Sequence, residues 1–330
     1  MGLYEYSKKP VASGTYNISL PEAIKGIRAC DLSFPSPCAT GIEENDTVHA
    51  RIFQKDKGSK VMPEASEELL ILVHGFATRN LENYNDFASS MAEKGMAAIF
   101  INLPLHLKRT PAGESSGRRL IGFDDIQTLD FFHQSVVDIR RLIDIGLAIL
   151  KPERIYLCGI SMGGMVSTVA AAFDKRIDRA CLLIGGGNWE EIHWKGVLRY
   201  MLKGDCAKNS SDKKRTECRK AYRIFPAFLE EFKKTGKNGL TAGLEGLDSL
   251  KDVTPKACFL CDPMAFGHMV DPRKILMINS RLDMYFSRRS SRCLWKELGR
   301  PQIIWVNNLH SSKILRNRKL QETISGFFRK

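Results

Sequence analysis

Ser161, Asp283 and His310, in that order along the chain, have the residue types that nucleophilic acyl transfer requires. A serine hydroxyl is a weak nucleophile near neutral pH. It needs a base within hydrogen-bond reach and a carboxylate that holds the base in the productive tautomer. Ser161 stands in "YLCGISMGGM", residues 156 to 165, with Gly159 and Gly163 at the spacing of a sharp strand-to-helix turn. So short a pattern also arises by chance, and its surroundings decide. The apolar run "RIYLCGI" before it reads as a buried strand, and "MGGMVSTVAAAF" after it reads as a helix of small residues. Asp283 lies three residues past a second such run, "KILMINS", and His310 just past a third, "QIIWVNN". All three side chains therefore fall at the carboxyl ends of predicted strands, where open α/β sheets place their sites.

The developing oxyanion needs donors as well. The backbone N–H of Met162 can supply one, at the start of the helix after Ser161. "VHGFATRN" can supply another through the N–H of Phe76, with His74 holding that loop. His106 and Arg109, in "LPLHLKRTP", either line the substrate pocket or stabilise a loop. His193 and Trp194 open a helical segment and could face substrate. Asp138, in a long amphipathic helix, reads as an ion-pair partner for a nearby arginine. His133 and His268 carry no functional expectation.

The elements that must position these residues alternate between strand and helix patterns, the mark of an α/β fold with a mostly parallel central sheet and helices on both faces. The strands are "ELLILVH", "MAAIFINL", "RIYLCGI", "RACLLIGG", "KILMINS" and "QIIWVNN". The helices are "NYNDFASSMAEKG", "FFHQSVVDIRRLIDIGLAIL", "GGMVSTVAAAFD", "SSRCLWKELG" and "NRKLQETISGFF". "TYNISLP" and "TVHARIFQ" near the start read as antiparallel edge strands. Residues 188–270 break the rhythm: mostly helical in pattern, basic, and containing the polar loop "KGDCAKNSSDKKRTEC". An insertion of that length between core strands predicts a cap or lid over a core formed by 1–187 and 271–330.

Composition narrows the class. No apolar run reaches the roughly 18 residues of a membrane span, and "MGLYEYSKKPVASG" lacks the apolar stretch of a secretory signal. Gly2 suggests a myristoylation site, but Tyr6 stands where Ser or Thr is required. Nine cysteines, scattered along a chain too large to need staples, point to reduced thiols in a cytoplasm. Cys258 and Cys261 form a lone CxxC; a zinc site would need Cys206 and Cys218, far upstream, so no metal is expected. The formal charge of +13 gathers in Lys195–Arg223, Arg281–Arg300 and Lys313–Lys330. Such surfaces could attract an anionic substrate, a lipid headgroup or nucleic acid, but no aromatic interleaving or nucleic-acid motif accompanies them, so solvated helix faces are the favoured reading and peripheral membrane contact stays open. Oligomeric state has no signature in the sequence.

With these residues placed, the chain resembles the α/β-hydrolase superfamily from "LLILVHGF" to the final helix. More narrowly, "FINLPLHLKRTP", "QSVVDIRRLID", "CGISMGG", "DPMAFGHMVDPRKILMINSRLD" and "LWKELGRPQIIWVNNLH" look like esterase-like hydrolases near the acetyl xylan esterase, dienelactone hydrolase and prolyl oligopeptidase branches. The resemblance implies Ser161 as nucleophile, Asp283 as acid and His310 as base. It departs in two loops: no Pro follows Asp283, and no Gly precedes His310. No N-terminal β-propeller accompanies the hydrolase motifs, which argues against an oligopeptidase. The expected activity is cleavage of a small-molecule or lipid-like acyl ester through an acyl-serine, without cofactors. A thioesterase, amidase or peptidase would use the same three residues, and a binding protein could keep the fold without turnover.

Overall fold

The six apolar runs become the parallel part of one sheet. In the computed structural model, which describes residues 2–24, 26–58, 63–120, 122, 124–200, 208–241 and 254–330, four strands come first: β1 (Asn17–Ile18), β2 (Glu22–Ile24), β3 (Ile27–Pro35) and β4 (Thr47–Lys55). The parallel strands follow: β5 (Glu68–Val73), β6 (Ala97–Ile101), β7 (Arg154–Ile160), β8 (Ile177–Leu183), β9 (Ile275–Ser280) and β10 (Gln302–Val306). Their spatial order is β1-β3-β4-β6-β5-β7-β8-β9-β10, with β2 also on β3. From β6 to β10 every neighbouring pair is parallel. "TVHARIFQ" is not an edge strand: β4 is paired on both sides, with β3 and β6. The shielding strand is β3, "IRACDLSFP", whose apolar residues are buried.

β5 shows why these runs are continuous rather than alternating. Leu69, Ile71 and Val73 face one core and Leu70 and Leu72 the other, all fully buried, as parallel strands covered on both faces must be. The helices begin with α1 (Glu43–Asp46) and α2 (Glu82–Glu93), then α3 (Asp125–Ile149) and α4 (Met162–Phe173). α3 and α4 cover one face through Val136, Ile139, Val166 and Val169. The opposite face is covered by α2 and the final helix of the chain, through Phe87, Met91, Ile324 and Phe328. α3 starts six residues before "FFHQ", because the Asp124 carboxylate caps it, accepting from the N–H groups of Ile126 and Gln127.

Between β8 and β9 lie α5 (Trp189–Lys195) and the 34-residue α6 (Lys208–Thr241). The expected polar loop "KGDCAKNSSDKKRTEC" is therefore helical from Lys208 onward. Residues 201–207, Cys206 among them, and 242–253 lie outside the described residues. α6 is anchored by a stripe of Tyr222, Phe225, Leu229 and Phe232, with Phe225 edge-on to Phe259 at 4.7 Å and Phe232 to Phe266 at 5.6 Å. Two more helices close the fold, α7 (Arg288–Glu297) and α8 (Arg318–Phe328). No described helix is long and apolar enough to cross a membrane.

Arg109 is placed in the loop-stabilising one of its two expected positions, and it is the arginine that pairs with Asp138. Its side chain is wholly buried, pairs with Asp138 on α3 at 2.7 Å and donates to the carbonyls of Asn45 and Asn102. Asp138 also accepts from the Ser36 hydroxyl at 2.6 Å. Arg109 thus clamps the loop after β6 to the helix behind the sheet and does not line the cavity beside Ser161. Arg109→Met should cost about 3–5 kcal/mol of stability, because it leaves Asp138 buried and unpaired. Urea unfolding measures this, and a loss below about 1 kcal/mol would show that the pair behaves like a surface bridge.

Candidate active site

The turn at Ser161 is made by what its neighbours lack. A Cβ on Gly159 would sit 2.2 Å from the Gly163 carbonyl oxygen and 2.4 Å from Ser167 Oγ. One on Gly163 would meet the carbonyl oxygens of Val73 and His74 at 2.4 Å. Only glycine permits α4 to begin this close to β7 and the end of β5. The chain reverses at Ser161 itself, which takes φ 57°, ψ −121°, a backbone state that costs a side-chain-bearing residue about 1–3 kcal/mol. Surrounding bonds hold it there: its N–H donates to the Leu183 carbonyl at 2.8 Å, and its own carbonyl accepts from Gly164 at 2.9 Å.

The other two side chains arrive on loops from β9 and β10. His310 Nε2 lies 2.9 Å from Ser161 Oγ, and its Nδ1 lies 2.9 Å from Asp283 Oδ2. The other carboxylate oxygen of Asp283 accepts from the N–H groups of Tyr285 and Phe286, at 2.7 and 2.9 Å. The acid loop thus caps itself without the missing proline. The Tyr285 ring packs against the His310 ring at 4.5 Å between centroids, tilted by 38°. In place of the missing glycine, the Asn308 side chain accepts the N–H of Leu309 at 3.0 Å.

Gly75 brings the neighbouring loop against the serine: a Cβ there would lie 3.2 Å from Ser161 Cβ. Phe76 and Met162 both line the cavity beside Ser161, and among the described residues no protein acceptor takes either backbone N–H. His74 pins the loop. Its Nε2 accepts the N–H of Leu103 at 3.0 Å, which assigns the proton to Nδ1, and Nδ1 donates to the Gly75 carbonyl at 2.7 Å. Burial, followed by the neighbouring His106, lowers the His74 pKa to about 3.

The cavity at Ser161 measures about 380 Å3, and among the described residues no Asp, Glu, Lys or Arg lines it. Phe131, Phe132 and Met165 form the wall from α3 and α4, and Trp189, Ile192 and Leu198 the wall from α5 and the segment after it. His193 lines it too, against Trp189 at 5.1 Å, its pKa lowered to about 4 by burial. Trp194 is 2% exposed and points away, toward Cys218 on α6. His106 is buried behind Phe76 and Phe131, donating to the Pro104 carbonyl at 2.7 Å, and supports those rings without lining the cavity. Its pKa falls to about 4, again through burial. Asp262 holds the start of α5: its buried carboxylate accepts from the Asn188 N–H at 2.9 Å and the Tyr222 hydroxyl at 2.7 Å, and burial raises its pKa to about 6.

Sequence reasoning missed the apolar wall. Only its aromatic pair, Phe131-Phe132, left a trace, as two rings in the first turns of a helix. The described residues contain no cluster able to hold a metal ion.

Residues 68–297 match the family model described as alpha/beta hydrolase fold. Among solved structures, an acetyl xylan esterase from Paenibacillus sp. R4 is 16% identical with a TM-score of 0.58, over 94% of this chain and 87% of that one. Acetyl xylan esterase 1 from Thermoanaerobacterium sp. JW/SL YS485 is 14% identical with a TM-score of 0.56, over 96% and 88%. A cold-adapted esterase from an Arctic intertidal metagenomic library is 17% identical with a TM-score of 0.53, over 93% and 96%. At such identities the likeness is one of fold. No curated protein matches the chain.

Two measurements follow from the site's electrostatics and strain. His74, His106 and His193 are held neutral far below the ordinary histidine pKa, so the stability they contribute is present above about pH 6.5 and lost as pH falls toward 4. Asp262, raised to about 6, acts oppositely: its share is present below about pH 4 and lost as pH rises through 6. Near pH 5 these four groups together should make unfolding take up about two protons, a fall of roughly 2–3 kcal/mol per pH unit. His193→Phe should remove one of those protons in urea titrations across pH 4.5–7; an unchanged slope would mean that His193 titrates freely. Separately, Ser161→Gly should be more stable than Ser161→Ala by about 1 kcal/mol, the strain relieved less the cost of glycine's freedom in the unfolded chain. Equal melting temperatures would show that the turn is unstrained.

Proposed function

The chain belongs to the alpha/beta hydrolase fold family, and from that premise we propose that it is a serine hydrolase cleaving carboxylic esters through an acyl-Ser161 intermediate. The observation that carries this reading is the single His310 ring held 2.9 Å from both Ser161 Oγ and Asp283 Oδ2. In the proposed cycle, Ser161 Oγ attacks the ester carbonyl while His310 Nε2 takes its proton. The N–H groups of Phe76 and Met162 receive the oxyanion. His310 then gives its proton to the departing alkoxide, and a water activated by the same nitrogen releases the acid. Asp283 keeps the Nδ1 proton in place and stabilises the imidazolium without taking the proton itself.

The cavity supports an acyl group that is apolar and uncharged. The basic residues expected to draw an anionic substrate inward do not line it among the described residues. Residues 188–270 act in this reading as the cap, with Trp189, Ile192 and Leu198 closing the cavity over Ser161. The similar solved structures named as esterases agree with an ester substrate.

A fluorophosphonate probe should label Ser161, labelling should vanish in Ser161→Ala, and His310→Ala should lower kcat/KM by roughly 10⁴-fold or more. Each methylene added to the acyl chain, from acetate to hexanoate, should raise kcat/KM about fourfold as the wall residues bury it. Folded wild-type protein that stays unlabelled and inert toward all these esters would refute the enzyme. An optimum at acetate would refute the apolar acyl site alone.

A further inference from the structure

The mouth of the cavity carries a surface that ester cleavage does not require. Eight large apolar side chains are exposed among the described residues, and four of them sit on the three segments that meet around the mouth: Leu282 (55% exposed), Met284 (55%), Leu309 (57%) and Tyr200 (60%). Leu282 and Met284 flank Asp283, and Leu309 precedes His310. Tyr200 lies in the segment that follows α5 after a break at Gly196, and that segment is bonded to the acid loop by the Val197 N–H donating to the Met284 carbonyl at 2.8 Å. A water-soluble surface scatters its exposed apolar residues; a cluster at one opening marks a contact site.

The exposed charges on these segments are basic; Arg289 is paired with buried Glu191 and Arg316 with Glu82 and Asp86, and the others have no acidic partner among the described residues. Lys195, Arg199, Arg281, Arg288, Arg292 and Lys313 are all exposed. Across residues 195–200, 280–292 and 307–319 the one acid is Asp283, which is turned inward onto His310. Apolar side chains ringed by unopposed cations suit an anionic lipid surface, where the cations meet headgroups and Leu, Met and Tyr enter the acyl boundary. A second copy of this chain fits poorly, since two such rims would bring like charges together.

We propose that this rim docks the protein on anionic lipid surfaces, with Leu282, Met284, Leu309 and Tyr200 inserted and the surrounding cations on the headgroups. The opening beside Ser161 then faces the membrane, and an acyl chain can pass from lipid to cavity without crossing water. That last step rests on the hydrolase reading; the docking does not.

The test is sedimentation with vesicles, carried out on Ser161→Ala protein so that no turnover intervenes. The protein should co-sediment with phosphatidylglycerol-containing vesicles and not with pure phosphatidylcholine, and added salt should weaken the binding. Arg281→Ser with Arg288→Ser should loosen it by about 20-fold or more, and Leu282→Ser with Leu309→Ser by at least about tenfold. Arg273→Ser with Lys274→Ser, just before β9 and at the opposite edge of the sheet from the mouth, should leave it unchanged. Failure to bind anionic vesicles, equal binding to neutral ones, or affinity that ignores the rim substitutions would overturn the proposal. So would a lipid-free dimer in light scattering that those substitutions abolish. Because binding is read without catalysis, its failure leaves the esterase reading standing, and inert wild-type protein that still binds vesicles would leave the docking standing.

Discussion

The contact between the first turn of α4 and the ends of β5 and β7 is the constraint on which the rest of the site depends. Carbonyl oxygens of Val73, His74 and Gly163 lie where side chains would otherwise project, so positions 159 and 163 must be glycine. With the helix seated that low, the backbone has one residue in which to reverse. Ser161 absorbs the reversal at φ 57°, and its hydroxyl stands at the carboxyl edge of the sheet instead of packing into it. The strain is held by two large cores on either face of the strands, which no local rearrangement of the turn could repay.

Everything else at that edge is arranged around a hydroxyl whose position is already decided. Gly75 lets the loop after β5 run against Ser161, and His74 holds that loop by bonding Gly75 on one side and Leu103 on the other. The loop after β6 is held from behind by buried Arg109, whose charge is matched by Asp138 and whose remaining donors meet backbone carbonyls. Satisfying a buried guanidinium this fully is what makes it a clamp rather than a liability. The acid and histidine loops use polar side chains on their own backbones, Asp283 on Tyr285 and Phe286 and Asn308 on Leu309, in place of proline and glycine.

Charge and apolarity are separated across a few ångströms of this edge. Inside the mouth, the described walls carry no charged side chain. Outside it, exposed Leu282, Met284 and Leu309 sit among unopposed lysine and arginine. Burial explains the first half, since an unpaired cation in the cavity would lose its hydration without compensation. The second half has no such explanation in folding, because exposed leucine and methionine do nothing for the stability of the free protein, and it is consistent with a surface that meets something apolar and negative.

The strand and helix pattern, the sheet's parallel character and the candidate trio at its carboxyl edge could be read from local runs, because continuous apolar strands and a small-residue turn are short-range signals. Asp138 as an ion-pair partner was legible for the same reason, as an acid on an amphipathic helix behind the sheet. Three-dimensional packing decided what distance along the chain conceals. β4 proved internal because β3, a run less apolar than the others, covers it. Arg109 and His106 turned inward, and Trp194 faced Cys218 instead of the cavity, because only packing determines which side of a loop or helix is enclosed. The cavity wall joins residues from α3, α4, α5 and the acid loop, far apart in sequence and individually ordinary. Spacing along the chain therefore reveals where chemistry can be mounted, whereas the shape that receives a substrate arises only when distant segments exclude water together.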